Sequence, residues 1–247
     1  MKEFHTEGIA KLPLTARNSD LKEVECYLLR RASSRHPGNI WDSAGRFRAA
    51  HGYEAGLLDD LIALLAEQAK VLIQSRQVYI YQYRVNSKHP STLEEGAGAW
   101  QLHRDFDFWH YMDGMPDAQA VVFHLLVTDI SYNDGPLVVC NRSHRDPLPP
   151  HNDSSNLSWE DGFKEDLRYT IDARFIEEWK NQTLLVGQAG ALYAMHPMAW
   201  HYSGLNLSHS PRILMSVAFN SIDNMPKKFS ALLQRPSYIT EDPTHRF

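Results

Sequence analysis

The residues QLHRDFDFWHYMDGMP, from Gln101 to Pro116, decide how this chain is read. They set His103 and Asp105 two positions apart. In an extended strand, side chains at i and i+2 leave the backbone on the same face, so this imidazole and carboxylate meet one metal ion while Arg104 points away. Such a pair leaves the coordination shell incomplete. Two histidines and one carboxylate on one face, with open positions opposite, make the donor set that suits non-haem Fe(II), so a second histidine is expected downstream. The segment GALYAMHPMAWHYSGLNLSHSPRILMSVAFN offers His196 and His201. Arg212 stands eleven residues beyond His201 (212 − 201 = 11), and that spacing selects His201, with HPMAW reading as a turn that leads up to it.

The motif HxD, a histidine 98 positions on (201 − 103 = 98) and a following arginine together resemble the phytanoyl-CoA dioxygenase superfamily of iron- and 2-oxoglutarate-dependent oxygenases. Four stretches are similar to its ectoine hydroxylase branch: YRVN from Tyr83 to Asn86, DF-x-x-WH-x-x-DGMP from Asp105 to Pro116, DGPL from Asp134 to Leu137, and FNSIDN from Phe219 to Asn224. The similarity covers the middle and C-terminal two-thirds of the chain and leaves the first seventy residues largely unmatched.

What the resemblance implies is specific. His103, Asp105 and His201 would hold Fe(II), and Arg212 would take the far carboxylate of 2-oxoglutarate through the two parallel hydrogen bonds that a guanidinium offers. Ser203 matches a family position that helps bind the same carboxylate, Arg84 and Asn86 match positions lining that pocket, and Trp100 stands where the branch has an aromatic wall. Gln82 and Trp109 fall at substrate-contacting positions, an indole face being able to hold a cationic group. Phe108 would reshape the pocket wall. The implied reaction consumes O2 and 2-oxoglutarate, releases succinate and CO2, and hydroxylates an unactivated C–H bond; superfamily members that halogenate lack the carboxylate, so Asp105 argues for hydroxylation. Desaturation or cyclisation at the same site is one alternative. A non-redox cupin-like isomerase, hydrolase or metal-binding module is another, and Arg212 argues against it.

Departures from the branch bear on substrate. Arg104, Asp107 and Phe108 replace small and polar residues, and NRSH at Asn141 to His144 replaces a proline-glycine version. They point to a small amino-acid-like molecule other than ectoine itself, and analogy with the family places it in secondary metabolism.

Bulk properties agree with a small-molecule enzyme. The chain has 247 residues, enough for a sizeable core in a single domain spanning 1–247. A formal charge of −5 and no run of lysines and arginines exclude a phosphate-tracking surface, so nucleic acid is not an expected partner. Two cysteines, Cys26 and Cys140, are too few for a disulfide framework and suggest a reducing compartment. The first twenty residues lack the apolar core of a signal peptide, and no later run approaches the ~20 apolar residues of a membrane span. A soluble, cytoplasmic protein is expected.

Along the chain, residues 1 to 50 give no assignable pattern beyond the loop ASSRHPGN. Glu54 to Lys70 places Leu57, Leu58, Leu61, Leu64 and Leu65 on one stripe at helical spacing, predicting an amphipathic helix packed on a sheet. QVYIYQYRV from Gln77 and AVVFHLLVTD from Ala120 read as strands, NDGPLVV as a turn entering a strand, and GALYAM and PRILMSVAFN as closing strands. The polar stretch from Asn86 to Gln101 suits a mobile loop over a pocket. Pro147 to Leu167 and a short helix at Ala173 to Lys180 read as an inserted lid. Strands with one strong helix before them, taken with the family, predict a mainly β fold with supporting helices on a double-stranded β-helix of jelly-roll, cupin-like type.

Overall fold

The computed structural model describes residues 2–42, 45–54, 56–92, 100–146 and 181–227. The expected lid at Pro147 to Leu167, the helix at Ala173 to Lys180 and the middle of the expected loop, 93–99, fall outside them, while the ends of that loop, Asn86–Lys88 and Trp100–Gln101, belong to strands. In chain order the elements are α1 (Lys2–Glu7), β1 (Ile9–Thr15), α2 (Asn18–Ala32), β2 (Asn39–Trp41), β3 (Phe47–His51), α3 (Asp59–Leu72), β4 (Val78–Lys88), β5 (Trp100–His103), α4 (Asp105–Asp113), β6 (Ala120–Leu126), β7 (Leu137–Cys140), β8 (Gln182–Leu184), β9 (Ala191–Met195), β10 (His201–Ser203) and β11 (Arg212–Ser221).

These strands form two antiparallel sheets. The larger has seven strands in the order β1-β9-β6-β11-β4-β3-β2, and the smaller has four in the order β5-β10-β7-β8. Among the described residues neither sheet closes on itself, so the architecture is a mixed α/β fold with two open sheets rather than an observed closed barrel. Alternation along the central strands of the large sheet divides the core in two. Val121, Phe123 and Leu125 of β6, with Met215, Val217 and Phe219 of β11, pack with Leu61, Ile62, Leu65 and Ala69 of α3 and Val24, Tyr27 and Leu28 of α2. Val122, Leu126, Leu214 and Ala218 face the other way, where they meet Leu137 and Val139 of the small sheet and Phe106 and Trp109 of α4.

One irregularity changes what β4 presents. β11 pairs Ala218 with Gln82 but Phe219 with Ile80, so Tyr81 has no counterpart and the strand carries a bulge. Before it, Val78 and Ile80 belong to the helix-side core and Tyr79 and Tyr81 to the inter-sheet core. After it the parity reverses: Tyr83 and Val85 are on the helix side. Gln82, Arg84, Asn86 and Lys88 therefore take the face between the sheets.

The helical stripe is present with a shorter helix than its spacing predicts. Leu58 adopts a left-handed φ of 57°, which stops α3 from beginning before Asp59. Leu57, Leu58, Leu61 and Leu65 are buried, but Leu64 is 42% exposed and points away from the sheet. α2, absent from the sequence reading, is polar overall and buries Leu21, Val24, Tyr27, Leu28 and Arg31. The Arg31 guanidinium donates to Asn39 Oδ1, Tyr27 Oη and the His51 carbonyl, at 2.9, 2.6 and 2.8 Å, tying the β2–β3 hairpin to the helix.

Two of the family-like stretches do structural work beside the site. Gly114 closes α4 in the left-handed region at φ 68°, and Tyr81 donates to Asp113 Oδ2 at 2.5 Å. Asn220 donates to Tyr79 Oη and the Asn224 carbonyl, while Asn224 accepts from the Asp117 amide, so DGMP and FNSIDN clasp each other behind α4. Burial of Leu65 against the sheet and exposure of Leu64 set a direct comparison: Leu65→Ala is expected to lower unfolding free energy by about 2–5 kcal/mol and Leu64→Ala by about 0.5 kcal/mol or less, measured by urea denaturation.

Candidate metal centre and carboxylate pocket

His103, Asp105 and His201 converge. β5 and β10 pair antiparallel with His103 directly opposite His201, and their ring centroids are 4.2 Å apart. Asp105 Oδ1 lies 3.8 Å from Nε2 of each histidine, and all three donor atoms lie within 4.8 Å of one another. The local backbone differs from the expected strand in one respect: β5 ends at His103, Arg104 is extended at φ −119°, ψ 134°, and Asp105 is the first residue of α4. The extended Arg104 preserves the i, i+2 alternation, and the carboxylate gains a place at a helix N-terminus, where negative charge is favoured.

Arg104 does point away from the metal donors, into a wholly buried niche. Its Nε lies 3.0 Å from Asp107 Oδ1, its Nη1 donates to the Asp146 carbonyl at 3.2 Å, and its Cζ sits 4.5 Å over the ring of Trp200. The backbone amide of Trp200 is held by Ser143 Oγ at 2.8 Å. Arg104 and Ser143, two departures from the family-like pattern, thus both fix the residue before His201.

The donors fit a metal. His201 Nδ1 is 2.9 Å from the Ala199 carbonyl, which can only accept, so Nδ1 carries the hydrogen and Nε2 presents its lone pair. Burial pushes the His201 pKa down, against the opposing pull of Asp105, and so keeps the imidazole neutral. Burial alone would raise the Asp105 pKa, but Arg84, with Nη2 3.6 Å away, and then the histidines bring it below the ordinary carboxylate value. Asp105 Oδ2 has no hydrogen-bond partner among the described residues. His196 is not part of this group: its Nδ1 accepts from the Met198 amide and its ring packs beside Phe4 and His144.

A cavity adjoins the triad, about 420 Å³ of empty space when its solvent-open mouth is included, lined in part by Arg84, Asn86, Trp100, Ser203 and Arg212. Arg212 is 3% exposed, and its Nε and Nη1 have no hydrogen-bond partner among the described residues. Burial pushes its pKa down to about 10, so it is cationic at neutral pH and presents a two-pronged donor to a carboxylate. Asn86 Oδ1 is likewise unpartnered.

Lys88, which the sequence reading passed over, lies in the same place. Its Nζ donates to Ser203 Oγ and the Gly204 carbonyl, each at 2.6 Å, and to the Gly135 carbonyl at 3.4 Å. Gly135 is required there: its φ is 61°, and a Cβ would meet the Gly204 carbonyl oxygen at 2.6 Å. Lys88 continues the period of two of Arg84 and Asn86, which the resemblance named, and that spacing on one strand was the signal that could have found it. A second cavity, of about 400 Å³, continues past Lys88 and Arg212 to Arg46, Arg48 and His89, with Arg48 Cζ 4.6 Å over the Trp100 ring. The fold thus gathers basic residues that are dispersed in the sequence, although Arg46 is paired with Asp42 at 2.7 Å.

Of the expected substrate residues, Phe108 is half-buried with its ring 6.0 Å from that of His103. Gln82 is buried on the inter-sheet face, and Trp109 is 1% exposed in the core, edge-on to Tyr81 at 5.0 Å. None of the three lines the cavity at the triad.

The Phytanoyl-CoA dioxygenase (PhyH) family profile matches residues 27–214. The chain belongs to this family. The match reaches well into the first seventy residues, farther than the motifs alone indicate. An L-proline trans-4-hydroxylase from Streptomyces griseoviridis is 27% identical over 255 residues, covering 98% of this chain and 91% of that protein. An ectoine dioxygenase from Nocardia farcinica is 30% identical over 200 residues, covering 76% of this chain and 64% of that protein. Among solved structures, EctD from S. alaskensis with 2-oxoglutarate and 5-hydroxyectoine superposes with a TM-score of 0.74 at 21% identity, covering 92% of this chain and 76% of that one. Family and triad together make this chain an Fe(II)- and 2-oxoglutarate-dependent dioxygenase.

Lys88 carries a pH signature. Burial first, then Arg212 and Arg48, push its pKa down from 10.5 to about 6. Between those values the unfolded chain binds the extra proton, so stability rises as pH increases from about 6 to about 10.5. Urea midpoints of the metal-free protein are expected to rise from pH 7 to pH 9, and the rise is expected to shrink in Lys88→Met; an unchanged rise in the variant would show that Lys88 is not its source.

Proposed function

We propose that this dioxygenase hydroxylates an unactivated C–H bond of a small, zwitterionic, amino-acid-like substrate. The observation that carries the reading is the meeting of the triad and the unpartnered Arg212 guanidinium in one cavity of about 420 Å³. When bound, Fe(II), 2-oxoglutarate and O2 supply the oxidising chemistry, leaving succinate, CO2 and one oxygen atom on the substrate carbon. His103, Asp105 and His201 hold the metal, and Arg84 keeps Asp105 ionised. Arg212, with Ser203, Lys88, Asn86 and Trp100 around it, orients the cosubstrate. A retained carboxylate in the triad supports hydroxylation over halogenation.

Gln82, Phe108 and Trp109 are assigned to the substrate side, Phe108 nearest the metal and Trp109 supporting it from the core. L-Proline and ectoine, the molecules in the names of the relatives, are both small rings carrying a carboxylate and a positive charge. The proline hydroxylase spans nearly the whole chain, which supports a free cyclic amino acid ahead of ectoine. The two sheets are read as the halves of a double-stranded β-helix in one domain. No described helix is long and apolar enough to cross a membrane; the two free cysteines, Cys26 and Cys140, support a reducing, cytoplasmic setting. Desaturation or cyclisation is the second reading: the fold is shared, at a TM-score of 0.63 and 14% identity, by the carbocyclase SnoK from nogalamycin biosynthesis.

Two measurements check this. His103→Ala and His201→Ala are expected to abolish turnover with an unchanged circular dichroism spectrum, and Arg212→Ala to raise the KM for 2-oxoglutarate at least ~100-fold, as for a buried carboxylate stripped of its partner. Coupled succinate formation with L-proline, other cyclic amino acids, ectoine and an acyl-CoA in parallel is expected to favour a free amino acid, the product gaining one oxygen. Loss of two hydrogens would indicate desaturation or ring formation, and efficient coupling to the acyl-CoA would overturn the substrate class.

A further inference from the structure

One transverse row crosses the cavity face of the large sheet: Arg84 on β4 pairs with Ser216 on β11, Ser216 with His124 on β6, and His124 with Tyr193 on β9. Residues in register on neighbouring strands project to the same face, so Arg84, Ser216 and His124 stand side by side. Arg84 reaches Asp105 at 3.6 Å, which places the row directly beneath the metal donors. Arg212 lies four residues back along β11 (216 − 212 = 4), roughly 13 Å at the rise of a strand, before its side chain reaches inward.

His124 is 1% exposed and lines the cavity together with His103 and His201. Its Nδ1 is 2.9 Å from Ser216 Oγ, while its Nε2 has no hydrogen-bond partner among the described residues. A buried donor left unpaired is destabilising, so a histidine kept here purely for packing would be a poor choice beside the aliphatic residues of the same strand. It is also not one of the metal group, whose three donor atoms are set by His103, Asp105 and His201. A neutral imidazole carries one hydrogen, and Ser216 Oγ can donate or accept; where the hydroxyl donates to Nδ1, the imidazole hydrogen is on Nε2, the nitrogen without a partner among the described residues. Asp105 Oδ2 is also without a partner among the described residues and so does not accept from it, which leaves the end of the dicarboxylate opposite to the one that Arg212 holds.

We propose that His124 is a cosubstrate contact: its Nε2–H donates a hydrogen bond to the metal-side carboxylate of 2-oxoglutarate, with Ser216 Oγ–H fixing the tautomer. The inference rests on reading the cavity as the 2-oxoglutarate site. It adds a donor at the end of the cosubstrate where the sequence motifs supply only the metal and Arg84.

The test is calorimetric titration of 2-oxoglutarate into protein loaded with Ni(II), which binds without turnover, using wild type, His124→Phe, His124→Gln and Arg212→Ala. A hydrogen bond to a charged group sets the scale: His124→Phe is expected to weaken 2-oxoglutarate roughly 10- to 100-fold, with Ni(II) affinity and Tm close to wild type. His124→Gln, whose amide restores a donor near Nε2, is expected to recover most of that loss. 4-Oxopentanoate, which has a methyl group in place of the metal-side carboxylate, is expected to bind wild type and His124→Phe equally. Equal 2-oxoglutarate affinity in wild type and His124→Phe, with affinity lost in Arg212→Ala, would overturn the role of His124 and leave the pocket standing. Loss of Ni(II) binding in His124→Phe would overturn it in favour of a fourth metal ligand. If wild type bound 2-oxoglutarate no better than Arg212→Ala, the reading of the pocket itself would fail.

Discussion

The short antiparallel pairing of β5 with β10 sets His103 across from His201, and the rest of the site is arranged about that contact. Cross-strand register brings two imidazoles within one coordination distance without any contribution from loops. The third donor comes from the chain leaving the sheet: one extended residue, Arg104, then the first turn of α4 with Asp105 in it. Burial gives these groups their protonation states, holding His201 neutral, while Arg84 holds Asp105 ionised.

The bulge at Tyr81 gives the second layer. Without the extra residue, a regular β4 would aim either its tyrosines or its polar residues at the space between the sheets along its whole length, but not both in turn. With it, Tyr79 and Tyr81 pack against α4 and the clasp of Asn220 and Asn224, and farther along Arg84, Asn86 and Lys88 face the cavity. A single register change separates a structural end of the strand from a chemical end.

The sequence shows some of this and hides the rest for physical reasons. Donor identity survives because metal chemistry restricts residue type, so HxD, His201 and Arg212 are readable one by one. The period of two in QVYIYQYRV and AVVFHLLVTD marks β4 and β6, although a bulge of one residue leaves no trace in hydrophobicity. α2 escapes because most of its residues are polar and its buried face includes Arg31, satisfied by a tertiary network that no local pattern announces. α4 escapes because its buried face mixes Asp105 and Asp107 with Phe106 and Trp109, and so has no apolar stripe at helical spacing. Lys88 was readable from strand alternation, whereas His124 becomes conspicuous only when neighbours distant in sequence leave its Nε2 without a hydrogen bond among the described residues.

The central claim is that one metal and one dicarboxylate share this cavity, the first on His103, Asp105 and His201 and the second reaching back to Arg212. Anaerobic titration of the protein with Fe(II) and 2-oxoglutarate, followed by the visible metal-to-ligand charge-transfer absorption, tests it most directly. The account predicts a band that requires both components and saturates at one equivalent of each. It would be contradicted by 2-oxoglutarate binding that is indifferent to the metal, or by an Fe(II) site that gives no such band when 2-oxoglutarate is present.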